Sequence, residues 1–159
     1  MRHFTRRYQG EARASEVLRL PLDRRRRSRL RARLEGGEEV GIVLSHGSVL
    51  RHGDMLLGDD GTILRIESAP ERVSVVKSRD WLALARAAYH LGNRHVPIEI
   101  GDGFLRYQHD HVLDDMVRAL GLDVGEGEAA FEPEVGPYSQ SDHSHRHETD
   151  HDHGGHSHR

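Results

Sequence analysis

Two helical periods set among short β-type runs constrain this chain more than any other feature. The stretch DWLALARAAYHLGN opens on Asp80, whose carboxylate can accept from free helix-start amides. It puts Trp81, Leu84, Ala88 and Leu91 on one apolar stripe before Gly92-Asn93 ends the helix. HDHVLDDMVRALG repeats the plan, with Leu113, Met116 and Leu120 facing inward and Gly121 as terminator. RVSVVKS precedes the first helix; HVPIEI and FLRYQ, joined by a Gly-Asp-Gly turn, separate the two; a last strand is expected within EAAFEPEV. Strand, helix, strand, strand, helix, strand is the order of a ferredoxin-like βαββαβ domain, expected over residues 70–136.

The preceding residues carry a different period. Arg29, Arg31 and Arg33 alternate with Leu30, Ala32 and Leu34, as in a strand with one wet and one buried face. Gly36-Gly37 offers a tight turn, and EEVGIVL supplies a returning strand whose acidic start can pair with the arginines. Ser48–Leu50, Met55–Leu57 and Thr62–Glu67 read as further strands, separated by RHGD and DDGT, where Gly and Asp tolerate turn angles. Residues 1–69 are thus expected to form a small all-β domain, with Ala69-Pro70 as the junction, and the whole chain is α+β. The arginine run in PLDRRRRSRLRARLEGGEE raises the question of nucleic acid. Its strand alternation, its acidic neighbours and an aromatic content of 5% favour a solvated hairpin face instead, so no nucleic-acid partner is expected.

Composition narrows the chemistry. The chain has no cysteine, which leaves imidazole and carboxylate as metal donors. MRHFTRRYQG lacks the apolar centre of a signal peptide, and no apolar run approaches a membrane span, so a cytoplasmic protein without membrane contact is expected. No Gly-rich phosphate loop, HExxH or GxSxG occurs. Asp110, Asp114 and Asp115 lie near histidines as a hydrolase's metal ligands would, but such small domains promise no deep cleft, and the expectation is that the protein is not an enzyme.

Histidine is the exceptional residue. There are fourteen, so the formal charge of −3 holds only while they are neutral. The segment SDHSHRHETDHDHGGHSHR holds His143, His145, His147, His151, His153, His156 and His158, interrupted by Ser, Asp, Arg and Gly in a way purification tags are not. Residues 137–159 offer almost nothing to bury and are expected to be a disordered histidine-rich tail. Ordering it around an ion costs roughly 1–2 kcal/mol per residue fixed, so its sites should be numerous, interchangeable and weak. Imidazole suits nickel, zinc, copper and cobalt, and intrinsic affinity alone would favour copper. His109 and His111, in YQHDHV at a strand-to-helix junction, make a second candidate pair, two donors of the four to six a metal takes. The competing reading is a helix entry where His109 and Asp110 satisfy exposed amides. His95, in GNRHVP just past a helix end, becomes a ligand only if a second copy supplies the facing ring. His90 reads as surface or interface, and His46 and His52 as turn residues.

AAYHLGNRHVPIEI and LRYQHDHVLDDMVRALG, with RSRLRARLEGGEEVGIVL and LRHGDMLLGDDG ahead of them, resemble the UreE family of urease accessory proteins, which are nickel metallochaperones. The resemblance spans roughly residues 17–135, and many members also end in histidine-rich tails. It implies a β-rich first domain that contacts partners and a ferredoxin-like second domain that binds metal and pairs two subunits. His95 would then bind Ni(II) with its symmetry mate at a homodimer interface, His109 and His111 would form a peripheral site, and the tail histidines would add capacity and complete coordination. Zn(II) or Cu(II) would bind in vitro, and metal would bring dimers together in pairs. Implied partners are the urease accessory GTPase UreG, which would receive the ion by ligand exchange, and through it the complex of urease apoprotein and accessory proteins. The rival is a nickel or zinc store with no delivery partner. Where the family frequently carries a Pro-Arg-Gly turn, this chain has Ser45-His46-Gly47.

Overall fold

The structure, a computed structural model, describes residues 1–135. It is mixed α+β, with two separate sheets. The first contains β1 (Arg2–Arg7), β2 (Glu16–Leu20), β3 (Arg29–Arg33), β4 (Glu39–Val43), β5 (Met55–Gly58) and β6 (Ile63–Ser68), in the order β2-β6-β5-β1-β4-β3. The anticipated hairpin is β3–β4, with Ala32 opposite Val40 and an ion pair between Arg33 and Glu39 at 3.1 Å. Its alternation is the anticipated one, with Ala32 buried and Arg29, Arg31 and Arg33 exposed. The sheet curls into a barrel-like form, and Arg19 of β2 bonds to Glu35 beyond β3, tying its two edge strands together. Phe4, Leu18, Val40, Ile42, Leu56, Leu64 and Ile66 fill its interior.

Ser48–Leu50 is a correction: it forms no strand. Leu50 is fully buried, but its N–H bonds to Arg25 O at 2.8 Å, so its backbone is satisfied by a helix end and not by a sheet neighbour. That helix is α1 (Leu22–Arg25), a single turn inside the arginine run that the strand alternation did not announce. The turn at Ser45-His46-Gly47 is present, with Gly47 at φ +81° and Ser48 N–H bonded to Ser45 O.

The second sheet comprises β7 (Pro70–Lys77), β8 (Ile98–Gly101), β9 (Phe104–Gln108) and β10 (Gly125–Ala130), in the antiparallel order β10-β7-β9-β8. With α2 (Trp81–Asn93) and α3 (His111–Ala119) it makes the ferredoxin-like arrangement. Both helices cover one face, against Val76, Leu105 and Tyr107. Aspartates cap both. Asp80 accepts from the amides of Leu82 and Ala83, and Asp110 from those of Val112 and Leu113. The helix-entry role foreseen for Asp110 is therefore observed, but His109 takes no part in it.

Three readings of this region need correcting. Trp81 is 75% exposed; the buried set of α2 is Leu84, Ala87 and Leu91, while Trp81, in the first turn, stands at the surface beside the β8–β9 turn. Leu120 is 37% exposed because it caps α3, and Val117, one turn earlier, fills the core position. The last strand starts at Gly125, ahead of the apolar residues that suggested it, because its backbone pairs with β7 over the whole of Gly125–Ala130.

The opposite face of the second sheet meets the first through Leu22, Val73 and Phe131. Beside them Arg25, 1% exposed, donates to the carbonyls of Leu20, Leu50 and Phe131 and to Glu132 Oε1 at 2.7 Å. Burial pulls this guanidinium below its ordinary value, and the Glu132 charge works against that shift.

Candidate metal centre

His95 follows α2 directly, in the turn that ends the helix. Its N–H bonds to Gly92 O at 2.9 Å, and its backbone stands at φ +57°, the left-handed region that non-glycine residues enter at a cost. The ring is thus exposed on a closed turn and not carried in β8, which starts only at Ile98. Close by, the outer face of α2 holds exposed Tyr89 and His90, whose rings meet edge to face with centroids 5.4 Å apart. Leu82 and Trp81 continue this apolar exposure toward the start of the helix. There Trp81, Ile100 and Phe104 line an open cavity of about 850 Å³.

His109 and His111 differ in setting. His111 is the first residue of α3 and is exposed. His109, only 18% exposed at its side chain, is built into a polar network beneath the helix. Its Nδ1 lies 3.1 Å from Ser74 Oγ and 3.3 Å from Asp114 Oδ2. Tyr107 donates its phenolic proton to Asp114 Oδ1 at 2.8 Å. On the other side of the ring, Nε2 lies 3.7 Å from Glu126 Oε2, and Glu126 Oε1 takes a bond from Arg72 Nε. The sheet explains the assembly. Ser74 of β7 is directly opposite Tyr107 of β9 and Glu126 of β10, so the three side chains share one face, the face α3 covers with Asp114.

The electrostatics follow from these contacts. Burial first, and then the bond to Asp114, hold the Tyr107 phenol well above its ordinary value of 10. Arg72 beside Glu126 holds that carboxyl below its ordinary 4.5. Asp114 is 4% exposed, and among the described residues its ionic contact is His109.

Among the described residues no three His, Asp or Glu side chains are gathered where they could hold a metal. Any such ion would need donors from the tail, solvent or a second chain. His143, His145, His147, His151, His153, His156 and His158 lie outside the described residues, as does the expectation of a disordered tail. His52 accepts from Ser68 N–H through Nδ1, and its own N–H donates to Glu132, which is a structural role. Sequence reasoning missed Ser74 and Glu126 as neighbours of His109, and it placed Asp114 only among carboxylates near histidines that could hold a catalytic metal. The available signal was Asp114 itself, a carboxylate between Leu113 and Val117 on the buried side of α3.

Residues 3–69 match the family model described as UreE urease accessory protein, N-terminal domain, and residues 71–159 match the model for the C-terminal domain. Among curated relatives, the protein named urease accessory protein UreE from Alkalilimnicola ehrlichii is 56% identical over 135 residues, covering 85% of this chain and 83% of its own. The protein of the same name from Pseudomonas putida strain GB-1 is 52% identical over 137 residues, covering 86% and 83%. That from Escherichia coli O157:H7 is 45% identical over 154 residues, covering 96% and 100%.

Proposed function

The chain belongs to the UreE family of urease accessory proteins, and we propose that it is a nickel carrier that passes Ni(II) to the urease maturation machinery by ligand exchange. The observation that carries this reading is the setting of His95, an exposed imidazole on a closed turn beside a helix whose outer face is apolar. One imidazole holds a metal weakly, whereas two held facing each other bind far more firmly. A two-fold dimer supplies the second ring automatically, and Trp81, Leu82 and Tyr89 offer it apolar surface to cover.

On this reading residues 70–136 bind metal and dimerise, residues 1–69 engage partners, and residues 137–159 supply further imidazoles. With one ring from each subunit, most positions around the ion are filled by water or tail histidines and exchange readily. A receiving protein such as the GTPase UreG can then add ligands one at a time, with no step at which the ion is bare. The chain would act in the cytoplasm, alongside urease apoprotein and its other accessory proteins, and Zn(II) or Cu(II) would compete for the same nitrogens.

Native mass measurement of the full chain with nickel tests this. The expected product is two chains sharing a first, tightest ion, lost on His95→Ala while weaker uptake through residues 143–158 persists. A nickel-loaded monomer, or a His95→Ala chain that keeps its tightest site, refutes it. A nickel-strengthened complex with the GTPase separates delivery from mere storage.

A further inference from the structure

We propose that the outer face of strands β3, β4 and β1, centred on Arg29, Arg31 and Val43, docks an acidic protein segment. The proposal rests on the carrier reading only in treating residues 1–69 as the part that engages partners.

The first observation is how the charges are paired. The carboxylates around the β3–β4 hairpin tip are already taken, Glu35 by Arg19, Glu38 by Arg2 and Glu39 by Arg33. Arg26, Arg27, Arg29 and Arg31 are exposed, and among the described residues none of them forms an ion pair. Register explains why. Arg33 stands opposite Glu39, but Arg31 stands opposite Gly41 and Arg29 opposite Val43, so two of the three arginines of β3 meet no acid across the strands. An opposite charge in those places would hold them; a glycine and a valine leave them open to an outside anion.

The second observation is the shape of the face. Residues directly opposite share a side of the sheet, and β1 extends it by placing His3 opposite Gly41. The His3 ring lies low over that glycine, where a Cβ would come within 2.7 Å of its Cδ2. Val43 beside it is 37% exposed. Guanidinium groups around a low, partly apolar centre have the composition of a protein contact, in which arginine is enriched. Arg29 and Arg31 are two residues apart on a strand, about 7 Å, a spacing that alternate carboxylates of an extended segment reproduce.

The surroundings favour this occupant over two others. A nucleic-acid strand carries continuous negative charge, whereas this face is bounded by Glu38 and Glu39 at the hairpin tip and by Asp59, 3.8 Å from the His3 ring. The three strands also expose no Phe, Tyr or Trp on which bases could stack. A second copy is disfavoured because β3 is an edge strand, and two such arginine rows repel when brought edge to edge.

The experiment titrates the full-length, metal-free chain calorimetrically with a glutamate–tyrosine copolymer, which offers carboxylates and apolar rings together. The expected binding weakens as salt rises and is tighter than to a single-stranded oligodeoxynucleotide of equal charge. It should fall at least about tenfold on joint Arg29→Glu and Arg31→Glu. The same change of net charge at exposed Arg6 and Arg13, as Arg6→Glu with Arg13→Glu, should cost much less. Joint Arg29→Gln and Arg31→Gln, which keeps polar side chains on the strand, should give a loss between those two. Absence of binding to the wild type, an equal loss in the Arg6 and Arg13 variant, no loss in the glutamine variant, or tighter binding of the oligonucleotide overturns the proposal. Nickel uptake by the β3 variants should equal that of the wild type, so failure of this face is distinct from failure of the carrier reading at His95.

Discussion

If His95 is kept at φ +57° for its imidazole and not for stability, removing the side chain should reveal the conformational cost. A left-handed backbone costs an L-residue roughly 1–2 kcal/mol, and glycine is free of that penalty. Against this, glycine loosens the unfolded chain by about 0.4–1 kcal/mol. The turn's bond from His95 N–H to Gly92 O survives either change, because it belongs to the backbone. His95→Gly should therefore match or exceed wild-type stability by up to about 1.6 kcal/mol, whereas His95→Ala keeps the strained φ and gains nothing. Urea unfolding of the three metal-free chains at one protomer concentration reads the order glycine first, alanine last. With nickel at 100 times its dissociation constant, the wild type alone should gain about 2.7 kcal/mol and overtake both. An alanine variant as stable as the glycine one refutes the backbone argument; an equal nickel gain in all three refutes the link between this turn and metal.

Other consequences can be read in simpler assays. Arg25→Ala leaves three carbonyls and Glu132 without their buried donor, so urea unfolding should show a loss of about 3–5 kcal/mol, and a loss under 1 would mean water replaces the guanidinium. Tyr107, with its folded value raised above the ordinary 10, contributes stability that is complete below that pH and is lost as pH rises toward the folded value. Phenolate absorbance at pH 11 should accordingly be equal in the native wild type and Tyr107→Phe, and a smaller signal in the variant would show that the phenol is open to ionisation. Trp81 is the single tryptophan, and if a second copy covers α2 its emission should move to the blue as protomer concentration rises; a constant red-shifted maximum would leave that face bare.

The second sheet and its helices were legible because period and punctuation agree there. Asp80 and Asp110 cap where they should, Gly121 stops α3 at φ +86°, and the strand order follows from the element order. Errors arose where a tertiary contact outranked a local pattern. Trp81 has the right spacing for the core stripe, but the first turn of α2 stands at the surface, and no periodicity reports where a helix runs past its support. Leu50 looked like a strand residue because burial is apolar whichever partner meets the backbone. Arg25 is the clearest case. Nothing in RRRR distinguishes the one arginine that is buried from its less buried neighbours, since the distinction is made by Phe131 and Glu132, more than a hundred residues later.

The site divides along the same line. His95 could be placed as the residue after a helix stop, and its left-handed backbone is itself a local property, while a metal role for it came only from the family resemblance. His109 was legible as a histidine but not as a network member. Ser74, Tyr107 and Glu126 meet only through the registers of β7 with β9 and β10, and a shift of one residue in either would turn the opposing side chain to the other face. Side chains set by register are fixed by the whole sheet. A lone ring on a surface turn is free to change partners. The sequence therefore shows the turn plainly, while the network built by register appears only with the assembled sheet.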